Sequence, residues 1–460
     1  MSRVPLLSTL SALLLGGCVT TGSSPQIHVP PAASGGFVET RNNAVTPAPT
    51  QAIWWRLFDD PVLDRHVERA LAANASVRVA IANLQTSRAA ARQARAAFYP
   101  RAGAESGVGP IKAVDQPSTT MIPTTDYDIG GTVAYELDLF GRVQSASSAA
   151  RADADASAAA LDAARVTVAA DTVLAYVELC GAIANERIAH ETVQAQKRSV
   201  ELVNKQLEEG EVSPLELAQA RALLHRAEAA LPLFSADRRR ALFQLATLQG
   251  KAPAEADGLE VGCTAPPKLA TEIPVGDGTA LIARRPDIRE AEHRLAAATA
   301  RIGVATADLY PRISLGGSAG LLSGGSDAFF TPLISWAFLD WSAVRGRIEA
   351  AKGAEAAALA NWDAVMLRAL REVESALADY RAESIRSRAL VSALAESEKA
   401  AARARTRYRL GAESFLLVLD AERSRNDAAT QMAASDIRKA QIQVTLFRAL
   451  GGGWETSSAP

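Results

Sequence analysis

Proline is absent from Val143 to Glu209, and glycine occurs there once, at Gly181. The same scarcity recurs from Arg347 to Leu410, where Gly353 is the one glycine and proline is again missing. Lacking breakers and rich in Ala, Arg, Glu, Gln and Leu, each stretch predicts a single helix. At 1.5 Å per residue such a helix would reach roughly 100 Å, far more than a globular core can use. It needs side-by-side partners, because propensity alone does not hold it.

Other shortages narrow the function. His28, His66, His190, His225 and His293 are scattered and share no metal-ligand spacing. Gly316-Gly317 and Gly324-Gly325 lack the Gly-Lys-Ser/Thr ending of a phosphate loop. Carboxylates sit among basic partners on helix faces, the pattern of solvated surface. An enzyme is therefore not expected, and neither is a metal or cofactor. Aromatics are only 5% and the 48% apolar fraction is dominated by alanine, which argues against a thick core and for closely approaching helices in a thin wall. The net charge of −2 leaves no unopposed basic run for nucleic acid. No apolar run is expected to be long enough to cross a bilayer as a helix.

What is present begins with an address. Arg3 is a short basic region, Val4 to Leu15 a short apolar one, and Leu15-Gly16-Gly17-Cys18 follows. A signal peptide ending in small residues implies export. The cysteine after Gly16-Gly17 resembles the bacterial lipobox, which implies lipidation of Cys18, with residues 1–17 removed. Val19 stands where an Asp would signal inner-membrane retention, so sorting to the outer membrane is permitted. Residues 18–50 are rich in Pro, Ala, Ser, Thr and Gly and predict a flexible tether. Export also permits disulfides. Cys180 and Cys263 either pair or remain small buried hydrophobes.

Residues 61–98 carry helical periodicity, with Asp60 as cap and Pro61 in the first turn. From Tyr127 to Leu137, apolar residues alternate with Asp128, Gly130, Thr132, Ala134 and Glu136, the period of a strand with one apolar face. Residues 101–113 alternate more weakly, and a polar loop around Pro117 to Pro123 lies between. Gly210 suits the left-handed stop of the first long helix. Ser213, Pro214 and Glu216 then predict a capping box opening a second helix that ends at Gly250, with a kink at Pro232. Residues 251–278 predict an irregular linker. The plan then recurs. Phe98-Tyr99-Pro100-Arg101 is answered by Leu309-Tyr310-Pro311-Arg312, Gly141-Arg142 by Gly346-Arg347, and Gly210, Ser213 and Gly250 by Gly411, Ser414 and Gly451. Alternation from Ile313 to Leu321 and, less cleanly, from Leu333 to Phe338 supplies two more strands.

Strands of about ten residues with one apolar face are those of outer-membrane barrels. Four cannot close alone, and open edges are not tolerated in lipid, so a homo-oligomer is expected. The fold class is mainly α with a small β part. Its domains are 51–250 and 279–451 as two repeats, 251–278 as linker and 452–460 as tail.

Trp54-Trp55-Arg56-Leu57-Phe58-Asp59-Asp60-Pro61, Arg284-Arg285-Pro286-Asp287, Leu309-Tyr310-Pro311-Arg312, and Tyr408-Arg409-Leu410-Gly411 with Leu419-Asp420-Ala421 resemble motifs of the TolC-like outer-membrane efflux channels. The likeness is to the NodT/OprM-type lipoproteins of resistance-nodulation-division drug pumps. It implies a homotrimer with a twelve-stranded outer-membrane barrel, a long helical periplasmic barrel and a mixed equatorial domain. The channel would be passive, lipid-anchored and coupled indirectly to an inner-membrane pump through a periplasmic adaptor. The turns at Gly210, Val212, Ser213, Gly411 and Ser414 would meet that adaptor. Leu416, Asp420 and Arg423 match gate positions at the closed periplasmic end. Leu417 stands where TolC has a second aspartate, leaving one acidic ring. The rivals are the exit channel of a type I protein secretion system and a non-conducting coiled-coil scaffold.

Overall fold

The computed structural model describes residues 27, 29–40, 45–49, 51–110, 125–269, 271–322, 325–336 and 340–452. Cys18, the polar loop around Pro117 and the last eight residues lie outside them. The described chain is mostly helical with a small sheet part. A short strand β1 (Val45–Thr46) precedes helices α1 (Pro61–Ala73) and α2 (Ala75–Ala96), then strands β2 (Arg101–Pro110) and β3 (Thr125–Leu137). Helices α3 (Arg142–Glu208) and α4 (Pro214–Leu248) follow, of 67 and 35 residues. After β4 (Ile273–Pro274) come α5 (Gly278–Arg284), α6 (Pro286–Ala307), β5 (Arg312–Leu322) and β6 (Gly325–Ser335). Helices α7 (Trp341–Arg409) and α8 (Phe415–Ala449) close the chain, of 69 and 35 residues.

Two compact units emerge. The first joins Ala82–Ala159 to Arg289–Ala364 and holds an antiparallel sheet of order β2-β3-β5-β6. Its register lines up the apolar parity of neighbouring strands. Ile129, Val133, Tyr135 and Leu137 face Leu321, Gly317, Leu315 and Ile313, and those continue to Ser326, Phe330, Pro332 and Ile334. The opposite parity carries Thr132 beside Ser318 and Glu136 beside Ser314 in β3 and β5, and continues to exposed Phe329 and Leu333 in β6. A one-residue slip would reverse both faces, so the hydrophobic pattern fixes the pairing. Ile129, Val133, Leu321, Phe330 and Ile334 are exposed. Where the sheet meets the helices, Phe98, Tyr99, Phe140, Tyr310, Trp336 and Trp341 form an exposed aromatic collar, with Phe140 stacked on Tyr310 at 4.6 Å. Small residues let the helices of this unit touch. Ser87 and Ser157 hydroxyls meet at 2.7 Å, and a Cβ on Gly303 would lie 2.5 Å from Ser145 Oγ.

The second unit comprises Val29–Ile81, Ala160–Ile288 and Val365 onward. Its core gathers Leu63 and Val67 of α1, Ala169 to Cys180 of α3, Leu242 and Leu245 of α4, Val373 and Leu377 of α7, and Val444 to Phe447 of α8. Trp54 is fully buried and stacks on Phe447 at 4.9 Å. The Arg284-Arg285-Pro286-Asp287 motif explains itself here. Arg285 gives two hydrogen bonds to Asp287 (2.9 and 2.8 Å), one to Glu372 (2.9 Å) and one to the Ala449 carbonyl (2.8 Å). Burial works against its charge, but these partners hold its pKa above the usual arginine value.

Several expectations need correction. The helix from 61 breaks at Asn74, whose extended backbone caps α2. Its Oδ1 accepts from the Ser76 amide at 2.8 Å and its Nδ2 donates to the Leu248 carbonyl at 2.9 Å. The second long helix begins at Trp341, before Arg347, and Gly346 lies inside it, whereas Gly141 has φ +73°. The two glycines are therefore not equivalent. Strand β6 starts at Gly325 and ends at Ser335, earlier than its alternation suggests, because pairing with β5 recruits it and Pro332 is acceptable in an edge strand. The linker is not irregular throughout: Pro253–Gly258 forms a 3-10 turn and β4 pairs in parallel with β1. The described residues before it, 29–40 and 45–49, are no free tether. Phe37 is buried in the core, and the Val38 and Glu39 amides donate to Glu374. Finally, α3 does contain an apolar 18-residue window, of mean hydropathy 1.6. Since 72% of it is buried, it serves the core.

Candidate functional site

Two helical turns in the second unit come together, and their backbone explains why the chain reverses there. Gly210 (φ +74°) ends α3 and Gly411 (φ +70°) ends α7, each in the left-handed region that non-glycine residues avoid. Glu216 Oε2 accepts from the Ser213 amide at 3.0 Å, the returning half of the expected capping box. Helix α4 continues through Pro232.

Beside these turns lies a small apolar cluster separate from the main core. Val203, Leu217 and Ala220 from the first hairpin pack with Ala404, Tyr408, Phe415, Val418 and Leu419 from the second. Val212, assigned to the tip from sequence, is partly buried against this cluster. Gly210, Ser213, Gly411 and Ser414 are exposed. Tyr408 donates its hydroxyl to Gln206 Oε1 at 2.6 Å, linking the hairpins. Burial, with help from the Glu216 and Glu211 charges, raises the Tyr408 pKa and keeps it a donor. An open cleft of about 400 Å³ beside the cluster is lined by residues that include Arg198, Leu202, Arg405, Tyr408, Arg409 and Phe415.

Helix α8 divides its residues by face. Phe415, Val418, Leu419 and Glu422 are buried, whereas Leu416, Asp420 and Arg423 are exposed and spaced four and three apart. The three sequence-assigned gate residues thus share one outward face, and Leu417 beside them is also exposed. Sequence reasoning missed Glu422. Its side chain, 6% exposed, sits between Arg405 Nε at 3.1 Å and Arg425 Nε at 3.4 Å. The signal was available: Glu422 falls on the same helical phase as Phe415 and Val418, where a carboxylate needs a cation.

The third sequence-assigned constellation is Cys180 with Cys263. They form a disulfide with Cα atoms 5.6 Å apart, joining α3 to the segment between α4 and β4. Among the described residues no group of His, Cys, Asp and Glu is arranged to hold a metal ion.

A four-stranded antiparallel sheet with exposed apolar residues and helices of 67 and 69 residues are the parts of an outer-membrane channel protein. The chain belongs to the outer membrane efflux protein family, whose profile matches residues 66–251 and again 279–452. It is 32% identical to the outer membrane protein OprJ of Pseudomonas aeruginosa, over 97% of this chain and 95% of that one. It is 31% identical to the probable outer membrane lipoprotein SilC of Salmonella typhimurium, over 99% and 100%. Among solved structures, the outer-membrane channel OprN superposes with a TM-score of 0.86 at 35% identity, covering 94% of this chain and 99% of that one.

Proposed function

We propose that this chain is the passive exit channel of a tripartite drug or small-molecule efflux pump, lipidated at Cys18 and seated in the outer membrane. The observation that carries the reading is the sheet. Its exposed apolar face suits lipid, yet β2 and β6 are edge strands with one paired side each. A bilayer does not tolerate open edges. Three copies of the four-stranded sheet would close a barrel of about twelve strands, within the range of outer-membrane barrels. The two family matches, and the like order and lengths of elements on either side of 251–278, support two internal repeats, 51–250 and 279–451, followed by the tail 452–460.

In this reading the helices continue the barrel as a periplasmic tube. The turns at Gly210, Val212, Ser213, Gly411 and Ser414 meet a membrane-fusion adaptor, and the cleft beside them offers it a groove. The pump supplies energy and chooses cargo. Leu416, Asp420 and Arg423 line the narrow end, with Asp420 forming a carboxylate ring that favours cations.

The decisive experiment is reconstitution. Purified protein should run as a trimer in detergent and conduct in planar bilayers; a monomer that passes no ions would end the reading. Deleting the gene should sensitise cells to drugs and dyes, and a Cys18→Ala variant should restore resistance in part. Asp420→Ala should raise conductance or admit vancomycin; unchanged conductance and permeability would remove Asp420 from the gate.

A further inference from the structure

The two ends of the disulfide differ in access. Cys180 is wholly buried in the middle of α3, whereas Cys263 keeps part of its surface open. The segment carrying Cys263 is tightly seated. A Cβ on Gly262 would come within 2.5 Å of Val62 Cγ2, Glu260 pairs with Arg65, and the Glu260 carbonyl lies 2.9 Å from His66 Nε2. Once this segment is down, no reagent can reach Cys180. Thiol–disulfide exchange requires a thiolate to approach a sulfur directly. The bond must therefore form before the segment is fully seated.

We propose that this pair is a substrate of a periplasmic dithiol oxidase, and that the oxidation is ordered, with Cys263 reacting first and Cys180 second. The Cys263 thiolate attacks the oxidase disulfide, forming a Cys263–oxidase mixed disulfide and releasing the second oxidase sulfur as a thiolate. The Cys180 thiolate then attacks Cys263 Sγ. This forms the Cys180–Cys263 bond and expels the first oxidase sulfur. Two protons leave the protein thiols, and two electrons end on the oxidase, now a dithiol. The seating of 251–278 on α3 brings Cys180 to the mixed disulfide, so docking and release of the oxidase are the same event. The proposal rests on passage through the periplasm and not on the channel reading.

The test is a trapping experiment on the full-length chain. Wild type, Cys180→Ala, Cys263→Ala and the double variant are expressed with the signal peptide, acid-quenched, alkylated with N-ethylmaleimide and run on non-reducing gels with mass spectrometry. The double variant sets the background from Cys18. Cys180→Ala should accumulate a reductant-sensitive oxidase adduct at Cys263, at least fivefold above that of Cys263→Ala, and mature wild type should carry neither thiol free. Free thiols at both positions in mature wild type would overturn the proposal. An adduct equally abundant in Cys263→Ala would overturn the order, and no adduct in either variant would remove the oxidase. Because the readout is covalent, it stands even if a variant fails to fold.

Discussion

His66 is fully buried, and its two ring nitrogens have different neighbours. Nε2 faces the Glu260 carbonyl, an acceptor, and so carries the proton; Nδ1 at 2.8 Å from Gln249 Nε2 then accepts from the amide. The neutral ring satisfies both contacts. Burial lowers its pKa, with Arg69 adding to the effect against the nearby Glu260 and Asp60. The sign follows directly. The unfolded chain binds a proton below the ordinary histidine pKa and the folded chain resists it. The stabilisation is thus present above about pH 6.5 and is lost as pH falls toward the depressed value. Melting temperatures of the purified protein should drop between pH 7 and pH 5, and His66→Gln should flatten that slope. A wild-type slope no steeper than the variant's would refute this. Arg285 makes the second case at this scale. Truncating it to Met would leave Asp287, Glu372 and the Ala449 carbonyl without their donor, a loss of about 2–4 kcal/mol after allowing for the partial exposure of the two carboxylates. Chemical denaturation would measure it, and Arg285→Lys should recover only part. The motif containing Arg285 was visible in the sequence, but its role was not, since beyond Asp287 its partners lie on α7 and α8 far along the chain.

At the level of elements, the left-handed glycines are not alike. Gly210 has φ +74° and open space around a hypothetical Cβ, so alanine there adds backbone strain alone, about 1 kcal/mol. Gly250 has φ +70°, and its Cβ would meet the Ala73 carbonyl oxygen at 2.7 Å. Gly250→Ala should therefore destabilise clearly more than Gly210→Ala, as thermal melts of the two variants would report; equal losses would contradict the packing. The helix stops were legible because glycine and proline act through the local backbone. Strands β3 and β5 were legible because larger apolar residues alternate with small or polar ones along them. The break at Asn74, the early start of α7 and the extent of β6 were not. The break depends on a distant partner, the Leu248 carbonyl that Asn74 reaches, and the extent of β6 on its pairing with β5. The cysteine pair was left open for the same reason, since 83 residues separate the two.

For the molecule as a whole, the sheet is the part that most needs company. Its apolar face predicts that an arginine at Val133, on an exposed position of β3, will cost on the order of 2–4 kcal/mol in a bilayer if that position lies near the midplane. Val133→Arg should then lower heat-resistant oligomer in outer-membrane fractions, whereas an arginine at Thr132, on the opposite parity, should be tolerated. Equal loss from both would argue against lipid on that face.

The anchored N-terminal segment has a consequence of its own. Phe37 is buried and the Ser34 and Gly35 carbonyls accept from Thr279 and Gly278, so sixteen residue steps separate Ser34 from Cys18. Fully stretched, they span about 55 Å. An acyl group on that cysteine would be moored on a short leash, able to steady the protein against the bilayer but not to wander from it.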